Sequence, residues 1–182
     1  LACDGTGYGR DGHVWGCELL RCDEAEMTRA GHLRYVPHVG GDAVSRETWR
    51  PAAAFLWDAF EDGMTVAREM LLDVDPVAMD IMTKRFARQD RPLYTSSLGR
   101  LFDAAAAILG ICDANTHEAR APMMLESLAR SAGDAKAMDY QLGESDNGGL
   151  LTLDPRAMIR QLVEGKRSGQ PVAMLAWAFH RT

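Results

Sequence analysis

The sequence lacks the features of several protein classes. Its longest apolar stretches fall far short of the roughly 18 residues that a membrane-spanning helix needs, so we expect no membrane segment. The four cysteines, Cys3, Cys17, Cys22 and Cys112, include no CxxC pair, and a chain of 182 residues does not need disulfides for stability. We therefore expect reduced thiols and a cytoplasmic protein, with Cys3 and Cys112 in the core because their surroundings are apolar.

Basic clusters of the kind that bind nucleic acid are also missing. The 20 Lys and Arg residues are outnumbered by 26 Asp and Glu residues, which gives a formal net charge of −6. An acidic chain disfavours binding to phosphate backbones, so no nucleic-acid partner is expected. A small anion can still be held locally by backbone N–H groups and a few arginines.

Local motifs for metals and nucleophiles are absent too. The histidines, His13, His32, His38, His117 and His180, form no HxxxH or HExxH pair, and no serine lies in a GxSxG elbow. The sequence predicts no metal site made from its own residues and identifies no catalytic nucleophile.

The order of local signals predicts strands first and then mostly helices. Residues 1–3 and 14–20 are expected to pair as a hairpin across the glycine-rich segment 4–12, which contains two Asp-Gly turn signals. Residues 32–36 are expected to form a further strand that Pro37 ends. From about Ser45 the apolar spacing becomes helical, with one face predicted to carry Ala52, Ala53, Leu56, Trp57 and Phe60.

Capping and turn residues predict the later elements. Asp75-Pro76 predicts a helix with Asp75 as its cap, and its apolar face is expected to hold Val77, Ile81 and Phe86, with Met82 near the edge. Further helices are predicted from 95–97 to Gly110, over 122–132, after Asp154-Pro155 and after Gln170-Pro171. Short strands near Leu142 and over 150–153 would flank a turn at 146–149.

The fold class is therefore α/β or α+β with an incomplete sheet. Because the first residues look like a strand already under way and the last helix has no C-cap, we expect one partial domain over 1–182, truncated at both ends.

A glycine-rich segment near the start is the first candidate for ligand binding. Residues without a Cβ let several backbone N–H groups approach a phosphate closely. The candidate residues are Asp4, Gly5, Thr6, Gly7, Tyr8 and Gly9. Spacing alone favours the alternative, an ordinary hairpin turn.

The start of the helix near residue 97 is the second candidate. Ser96 and Ser97 precede a helix whose free N–H groups and positive dipole suit an anion. Gly99 costs helix propensity but leaves room for a ligand, Arg100 supplies a forked donor, and Asp103 lies one turn on. The alternative is a normal capped helix with an internal Arg–Asp contact, and sequence alone modestly favours it.

Eight stretches in fixed order resemble one known family. They are residues 1–9, 11–12, 15–18, 31–33, 40–42, 49–50, 95–104 and 116–118. The stretch 95–104, TSSLGRLFDA, carries most of the likeness. Together they resemble the carbamoyltransferase domain of HypF, a hydrogenase-maturation family, most strongly over residues 1 to about 130.

The resemblance implies an actin/sugar-kinase-like (ribonuclease H-like) fold and ATP-dependent chemistry. Family members form carbamoyl-adenylate from carbamoyl phosphate and ATP with Mg²⁺, and pass the carbamoyl group to the C-terminal cysteine of a HypE-type partner. Segment 4–9 would then be a phosphate loop. The nucleotide cleft would be lined by Ser96, Ser97, Gly99, Arg100, Asp103 and Glu118.

The family's histidine-bound metal site lies upstream of the glycine-rich segment and is not found in this sequence. We therefore expect the isolated chain to hold about half of a cleft, to bind nucleotide weakly or not at all, and to be inactive. Two alternatives stay open. One is a related carbamoyl-transfer enzyme with another acceptor, and the other is a non-catalytic module whose helices at 45–90 dock a partner.

Overall fold

The computed structural model describes residues 1–3, 7–88, 93–144 and 149–182. Within these ranges the chain forms two four-stranded sheets and eight helices. The strands are β1 (Gly7–Tyr8), β2 (Val14–Trp15), β3 (Glu18–Cys22), β4 (Met27–Leu33), β5 (Val36–Pro37), β6 (Tyr94–Thr95), β7 (Gln141–Glu144) and β8 (Leu151–Asp154). The helices are α1 (Ala43–Arg46), α2 (Trp49–Ala59), α3 (Gly63–Met70), α4 (Pro76–Ala87), α5 (Leu98–Ile108), α6 (Arg120–Arg130), α7 (Arg156–Arg167) and α8 (Val172–Arg181).

The first sheet has the order β1-β2-β6-β5, and its hairpin is formed by β1 and β2. The predicted pairing of residues 1–3 with 14–20 occurs only as an isolated antiparallel bridge between Ala2 and Glu18. β1 and β2 are antiparallel, and the Gly9 N–H donates to the His13 carbonyl at 2.7 Å. Val14 of β2 pairs in parallel with Thr95 of β6, which brings the hairpin next to the start of α5. The single predicted strand 14–20 is wrong, since the chain leaves this sheet after Trp15 and enters the second sheet at Glu18.

The second sheet has the order β3-β4-β8-β7. Its central pair, β4 and β8, is parallel and joins parts of the chain that are far apart in sequence, with Gly31 opposite Leu151. The predicted strand 32–36 has the wrong bounds, because β4 begins at Met27 and ends at Leu33. Pro37 lies inside β5; β5 is an edge strand, where a missing N–H can face away from the sheet.

Helices α2, α5 and α7 form the centre of the core. Alanines on α2 and α5 let the two helices approach closely. The fully buried positions include Ala52, Ala53, Leu56, Leu101, Ala104, Ala105, Ile108, Leu162 and Val163. The predicted face of α2 is confirmed for Ala52, Ala53 and Leu56, but Trp57 is partly exposed and Phe60 lies just past the helix end.

The helix starts that depend on local capping are confirmed. The Asp75 side chain accepts from the Val77 N–H at 2.8 Å, Ser97 caps α5, and α7 and α8 follow Pro155 and Pro171. Strands β7 and β8 also lie where they were predicted, but three residues of the expected turn at 146–149, namely 146–148, fall outside the described ranges.

The predicted buried face of α4 is wrong. Val77 and Ile81 are 64% and 51% exposed, whereas Met79, Met82 and Phe86 are buried. The error arises because apolar residues occur on more than one side of this helix, so spacing alone does not select the face that meets the core. Across the four described ranges, no helix has the length and apolarity required to cross a bilayer.

Candidate anion-binding site

An open cavity of about 600 Å³ lies directly at the start of α5. We call it the α5 cavity. Residues from the N-terminal segment, α1, α5 and the loop before α6 line it: Cys3, Ser45, Arg46, Ser97, Gly99, Arg100, Asp103, Asn115, Thr116, His117, Glu118, Ala119 and Pro122.

The backbone at the start of α5 leaves one donor free. The Leu98 N–H donates to the Gly16 carbonyl at 3.4 Å, and the Ser97 hydroxyl accepts from the Arg100 N–H at 3.3 Å. The Leu101 N–H donates to the Ser97 carbonyl at 3.3 Å. Among the residues that the structure describes, the Gly99 N–H has no acceptor. A free N–H in the first turn is the backbone feature that binds anions at helix starts.

Packing does not explain the glycine at position 99. A Cβ built there would meet only the Ser97 hydroxyl, at an ordinary 3.6 Å, and no left-handed backbone angle occurs at this position. Glycine costs about 1 kcal/mol relative to alanine inside a helix. Packing within the protein therefore gives no reason for glycine at position 99, whereas the close approach of a ligand would give one.

Arg100 lies on the cavity wall with its guanidinium held from two sides. Its Nη1 atom donates to the Val44 carbonyl at 3.0 Å and lies 2.7 Å from Asp103 Oδ2, in an ion pair that is not aligned as a hydrogen bond. The predicted internal Arg–Asp contact is therefore present. The Arg100 Nε atom is buried and has no hydrogen-bond partner among the described residues.

Asp103 is 1% exposed and is held in place by Asn115. Burial raises the pKa of Asp103 above its ordinary value, although the Arg100 charge and a hydrogen bond from Asn115 act against that rise. The Asn115 Nδ2 atom donates to Asp103 Oδ1 at 2.9 Å and to the Ser45 carbonyl at 3.0 Å. Asn115 was missed in the sequence analysis because a lone asparagine in a loop gives no local signal.

The loop before α6 completes the wall and is strained. Ala119 has a φ of 58°, a left-handed conformation that costs a non-glycine residue about 1–2 kcal/mol. The loop is held by the Ala121 N–H, which donates to Asn115 Oδ1 at 2.8 Å, and by Arg120 Nη1, which donates to the Ala114 carbonyl at 2.6 Å. The predicted residue Glu118 lines the cavity from this loop.

The glycine-rich segment is described only in part. Asp4, Gly5 and Thr6 lie outside the described residues. Cys3, directly before them, lines the α5 cavity and is exposed, so its expected place in the core is wrong. Cys112 is buried, as expected.

Gly7, Tyr8 and Gly9 lie in and after β1 and are not part of the cavity lining. Tyr8 is 80% exposed. At Gly9 a Cβ would come within 2.1 Å of the Trp15 indole nitrogen. Trp15 therefore explains why position 9 is glycine, whereas a Cβ at Gly7 would meet nothing within 4 Å.

Ser96 faces a different polar network, which sequence reasoning missed. Ser96 is fully buried and its hydroxyl donates to Glu18. Glu18 Oε2 accepts from Arg29 Nε at 2.5 Å, and Arg29 also contacts Asp11 at 2.8 Å. The Arg29 guanidinium lies 4.2 Å from the centre of the Trp15 ring. This network anchors the β6–α5 junction to the second sheet, and the separation of its members in sequence explains why no motif indicated it.

The side chains of the cavity suit an anion with hydroxyl groups more than a bare cation. Arg46 and Arg100 bring positive charge, while Glu118 offers an acceptor for a hydroxyl. Within the described ranges, no group of three or more His, Cys, Asp or Glu side chains is placed to hold a metal ion.

Comparisons with known proteins place the chain in one family. A family model described as "Carbamoyltransferase, Kae1-like Domain, second subdomain" matches residues 1–182. Carbamoyltransferase HypF2 of Cupriavidus necator is 44% identical over 134 residues, covering 74% of this chain and 16% of the relative. Carbamoyltransferase HypF of Rhizobium leguminosarum bv. viciae is 38% identical over 183 residues, covering 100% of this chain and 22% of the relative.

Solved structures give the same likeness. A full-length HypF in its phosphate- and nucleotide-bound form is 34% identical with a TM-score of 0.87, covering 100% of this chain and 23% of that one. HypF of T. kodakarensis is 25% identical with a TM-score of 0.82, covering 98% of this chain and 24% of that one. The predicted fold class and the family resemblance are confirmed. The chain belongs to the HypF carbamoyltransferase family, in which it matches the second subdomain of the Kae1-like domain.

Proposed function

We propose that the chain is part of an ATP-dependent carbamoyltransferase. The enzyme uses carbamoyl phosphate to carbamoylate the C-terminal cysteine of a HypE-type partner during nickel–iron hydrogenase maturation. The proposal is supported above all by the α5 cavity, which is lined by five of the residues that the family resemblance implies for a nucleotide cleft: Ser97, Gly99, Arg100, Asp103 and Glu118.

The α5 cavity offers a phosphate group several donors at once. The free Gly99 N–H and the positive end of the α5 dipole attract an oxyanion. Arg46 and Arg100 add two guanidinium groups on the cavity wall, and such groups bind phosphate with paired N–H donors. Bound ATP with Mg²⁺ would supply the activating adenylyl group, while these residues bind and orient its phosphates.

Arg100 is the residue best placed to stabilise negative charge as it develops. Its contacts with Val44 and Asp103 hold the guanidinium before any ligand arrives, so little reorganisation is required when charge forms. Glu118 is suited to accept from a ribose hydroxyl. In this proposal the protein is cytoplasmic and has neither a membrane nor a nucleic-acid partner, in keeping with its net charge of −6.

The chain spans 16% to 43% of the length of the first three curated relatives. The whole reaction is therefore proposed for the longer protein that would contain residues 1–182. Titration of the isolated chain with ATP and Mg²⁺ in a calorimeter should give weak binding or none, and micromolar binding would show that the half-cleft expectation is wrong.

The decisive experiment uses the longer protein and carbamoyl-phosphate-dependent ATP–pyrophosphate exchange. Arg46→Ala should weaken ATP binding about tenfold, seen as a tenfold higher ATP concentration for half-maximal exchange. The reason is that one charge-assisted contact is worth about 1.5 kcal/mol or more. Arg130→Ala is the matched control, since the Arg130 side chain is 75% exposed on α6 and pairs with Glu126. Equal effects of the two substitutions would contradict a phosphate site in the α5 cavity.

A second role, partner docking through the helices at 45–90, is favoured by one observation. Val77 and Ile81 lie one turn apart on α4 and expose 64% and 51% of their surface. Capture of a HypE-type protein should be weakened by Val77→Ser with Ile81→Ser and left unchanged by Met123→Ser, an exposed position on α6. Unchanged capture by the double variant would remove the docking role.

A further inference from the structure

Cys3, which lines the α5 cavity, meets a second cysteine, Cys17. The Sγ atoms of Cys3 and Cys17 lie 2.8 Å apart, and both thiols are free. A disulfide bond is about 2.05 Å long, so an approach of about 0.8 Å would bring the sulfur atoms to bonding distance.

The backbone holds the two residues in a register that suits a disulfide. Ala2 and Glu18 exchange two backbone hydrogen bonds, each of 2.8 Å, as an antiparallel bridge. One step along this register places Cys3 opposite Cys17 at a pair without mutual hydrogen bonds. Such pairs have Cα atoms about 4.5 Å apart, inside the usual disulfide range of about 4.4–6.8 Å.

The two thiols differ in access. Cys3 is exposed and Cys17 is buried, so a reagent in solution reaches Cys3 first. Burial raises the pKa of Cys17 to about 12, with further contributions from the hydrogen bond and charge of Cys3 and from the charge of Glu18.

We propose that Cys3 and Cys17 form a reversible intramolecular disulfide, a redox modification site on the wall of the α5 cavity. The Cys3 thiolate attacks a low-molecular-weight disulfide, forms a mixed disulfide and releases one thiolate. Cys17 then gives up its proton to solvent and attacks the Cys3 sulfur, which expels the second small thiolate. Two protein thiols are oxidised and one small disulfide is reduced to two thiols, so atoms and electrons balance.

The disulfide itself does not depend on the proposed function. Only its consequence does: because Cys3 lines the cavity, closing the bond alters the cavity wall and should change ATP affinity in the longer protein. If the reduced protein binds no ATP, the proposed function fails while the disulfide can still be observed.

The sequence makes the disulfide easy to detect. Trypsin cleaves after Arg10, Arg21 and Arg29, which places Cys3, Cys17 and Cys22 on three separate peptides. The purified protein is treated with oxidised glutathione, quenched with N-ethylmaleimide, digested and analysed by mass spectrometry. We expect a linked pair formed by the peptide ending at Arg10 and the peptide 11–21, and its loss after treatment with dithiothreitol.

The matched control is Cys22→Ser, because Cys22 is exposed at the end of β3. The Cys22→Ser protein should give the linked pair within twofold of the unmodified chain. Cys17→Ser should lower it at least tenfold and leave glutathione on Cys3. A glutathione adduct on Cys3 of the unmodified chain with no linked pair, or a link from Cys3 to Cys22 instead, would overturn the proposal without reliance on any variant.

Discussion

Three glycines at or near the ends of helices and strands differ in whether packing requires them. Packing excludes a side chain at two of these positions and allows one at the third. At Gly63 a Cβ would lie 2.4 Å from the Leu56 carbonyl, and at Gly9 it would collide with Trp15. Gly99 has no such neighbour. The sequence alone does not distinguish the three glycines, because the atoms that would clash with a Cβ belong to residues elsewhere in the chain.

We expect Gly99→Ala to stabilise the protein and weaken ATP binding. The free energy of unfolding should rise by about 0.5–1 kcal/mol, because alanine is the better helix former. In the longer protein, ATP affinity should fall, because the added methyl group narrows the approach to the free N–H. Urea unfolding and calorimetry measure the two effects.

Gly63→Ala is the control for that pair of measurements. It should lower the free energy of unfolding, because the new Cβ would clash with the Leu56 carbonyl, and it should leave ATP affinity unchanged. If Gly99→Ala stabilises the fold and leaves ATP binding intact, the space at Gly99 is not used by the nucleotide.

At the scale of single elements, the start of α5 was predictable because its signals are local. Ser97, the hydroxyl run before it and the periodic residues after it are contiguous in sequence. The start of α3 was missed because Gly63 is a poor helix former and Asp62 makes no side-chain capping bond. The length of β4 was missed because Met27 and Thr28 are strand residues only through their pairing with β3.

Two capping residues give a matched pair of substitutions. Ser97→Ala and Asp75→Ala should each lower the free energy of unfolding by about 1 kcal/mol, since each removes one cap. Only Ser97→Ala should also weaken ATP binding in the longer protein, because Ser97 lines the α5 cavity and Asp75 does not. Thermal unfolding and calorimetry test this, and parallel loss of ATP affinity in both variants would argue against a specific role for the α5 start.

At the scale of the whole molecule, the parallel β4–β8 pair joins the first and last parts of the chain. Gly31 makes this pairing possible, because a Cβ there would lie 2.5 Å from the Leu151 carbonyl. Nothing in the sequence around Gly31 indicates that its partner lies at Leu151. Long-range pairing of this kind was therefore beyond prediction from local patterns.

Gly31→Ala should be among the most damaging single-methyl additions to the chain. We expect a loss of about 2 kcal/mol or more in the free energy of unfolding, as found for overpacked sites. Gly143→Ala on the edge strand β7 is the control, because its Cβ would meet nothing within 4 Å, and it should change stability by less than about 0.5 kcal/mol. Equal urea midpoints for the two variants would contradict the close β4–β8 contact.

Asp154, at the end of β8, should make stability depend on pH. Burial acts to raise the pKa of Asp154, but hydrogen bonds from Arg156 and the charges of Arg156 and Arg34 lower it below its ordinary value. The stability that this carboxylate contributes is therefore present above about pH 4 and is lost as the pH falls through the lowered folded-state pKa.

Asp154→Asn should lower the free energy of unfolding by about 1 kcal/mol at pH 7 and by less at pH 2, because the carboxylate is protonated as the pH falls through its lowered pKa. Asp80→Asn, which breaks an exposed pair with Arg68, should have little effect at either pH. Urea unfolding at the two pH values measures this, and a loss in Asp154→Asn that is the same at both would show that its charge is not the source.

In the proposed function, the α5 cavity binds the phosphates of the nucleotide. The most direct measurement is a crystal structure of the longer protein with Mg²⁺ and a non-hydrolysable ATP analogue. We predict a phosphate oxygen within about 3.2 Å of the Gly99 backbone nitrogen, with Arg46 or Arg100 in contact with the same phosphate group. An ordered nucleotide whose phosphates lie outside the α5 cavity would contradict the account.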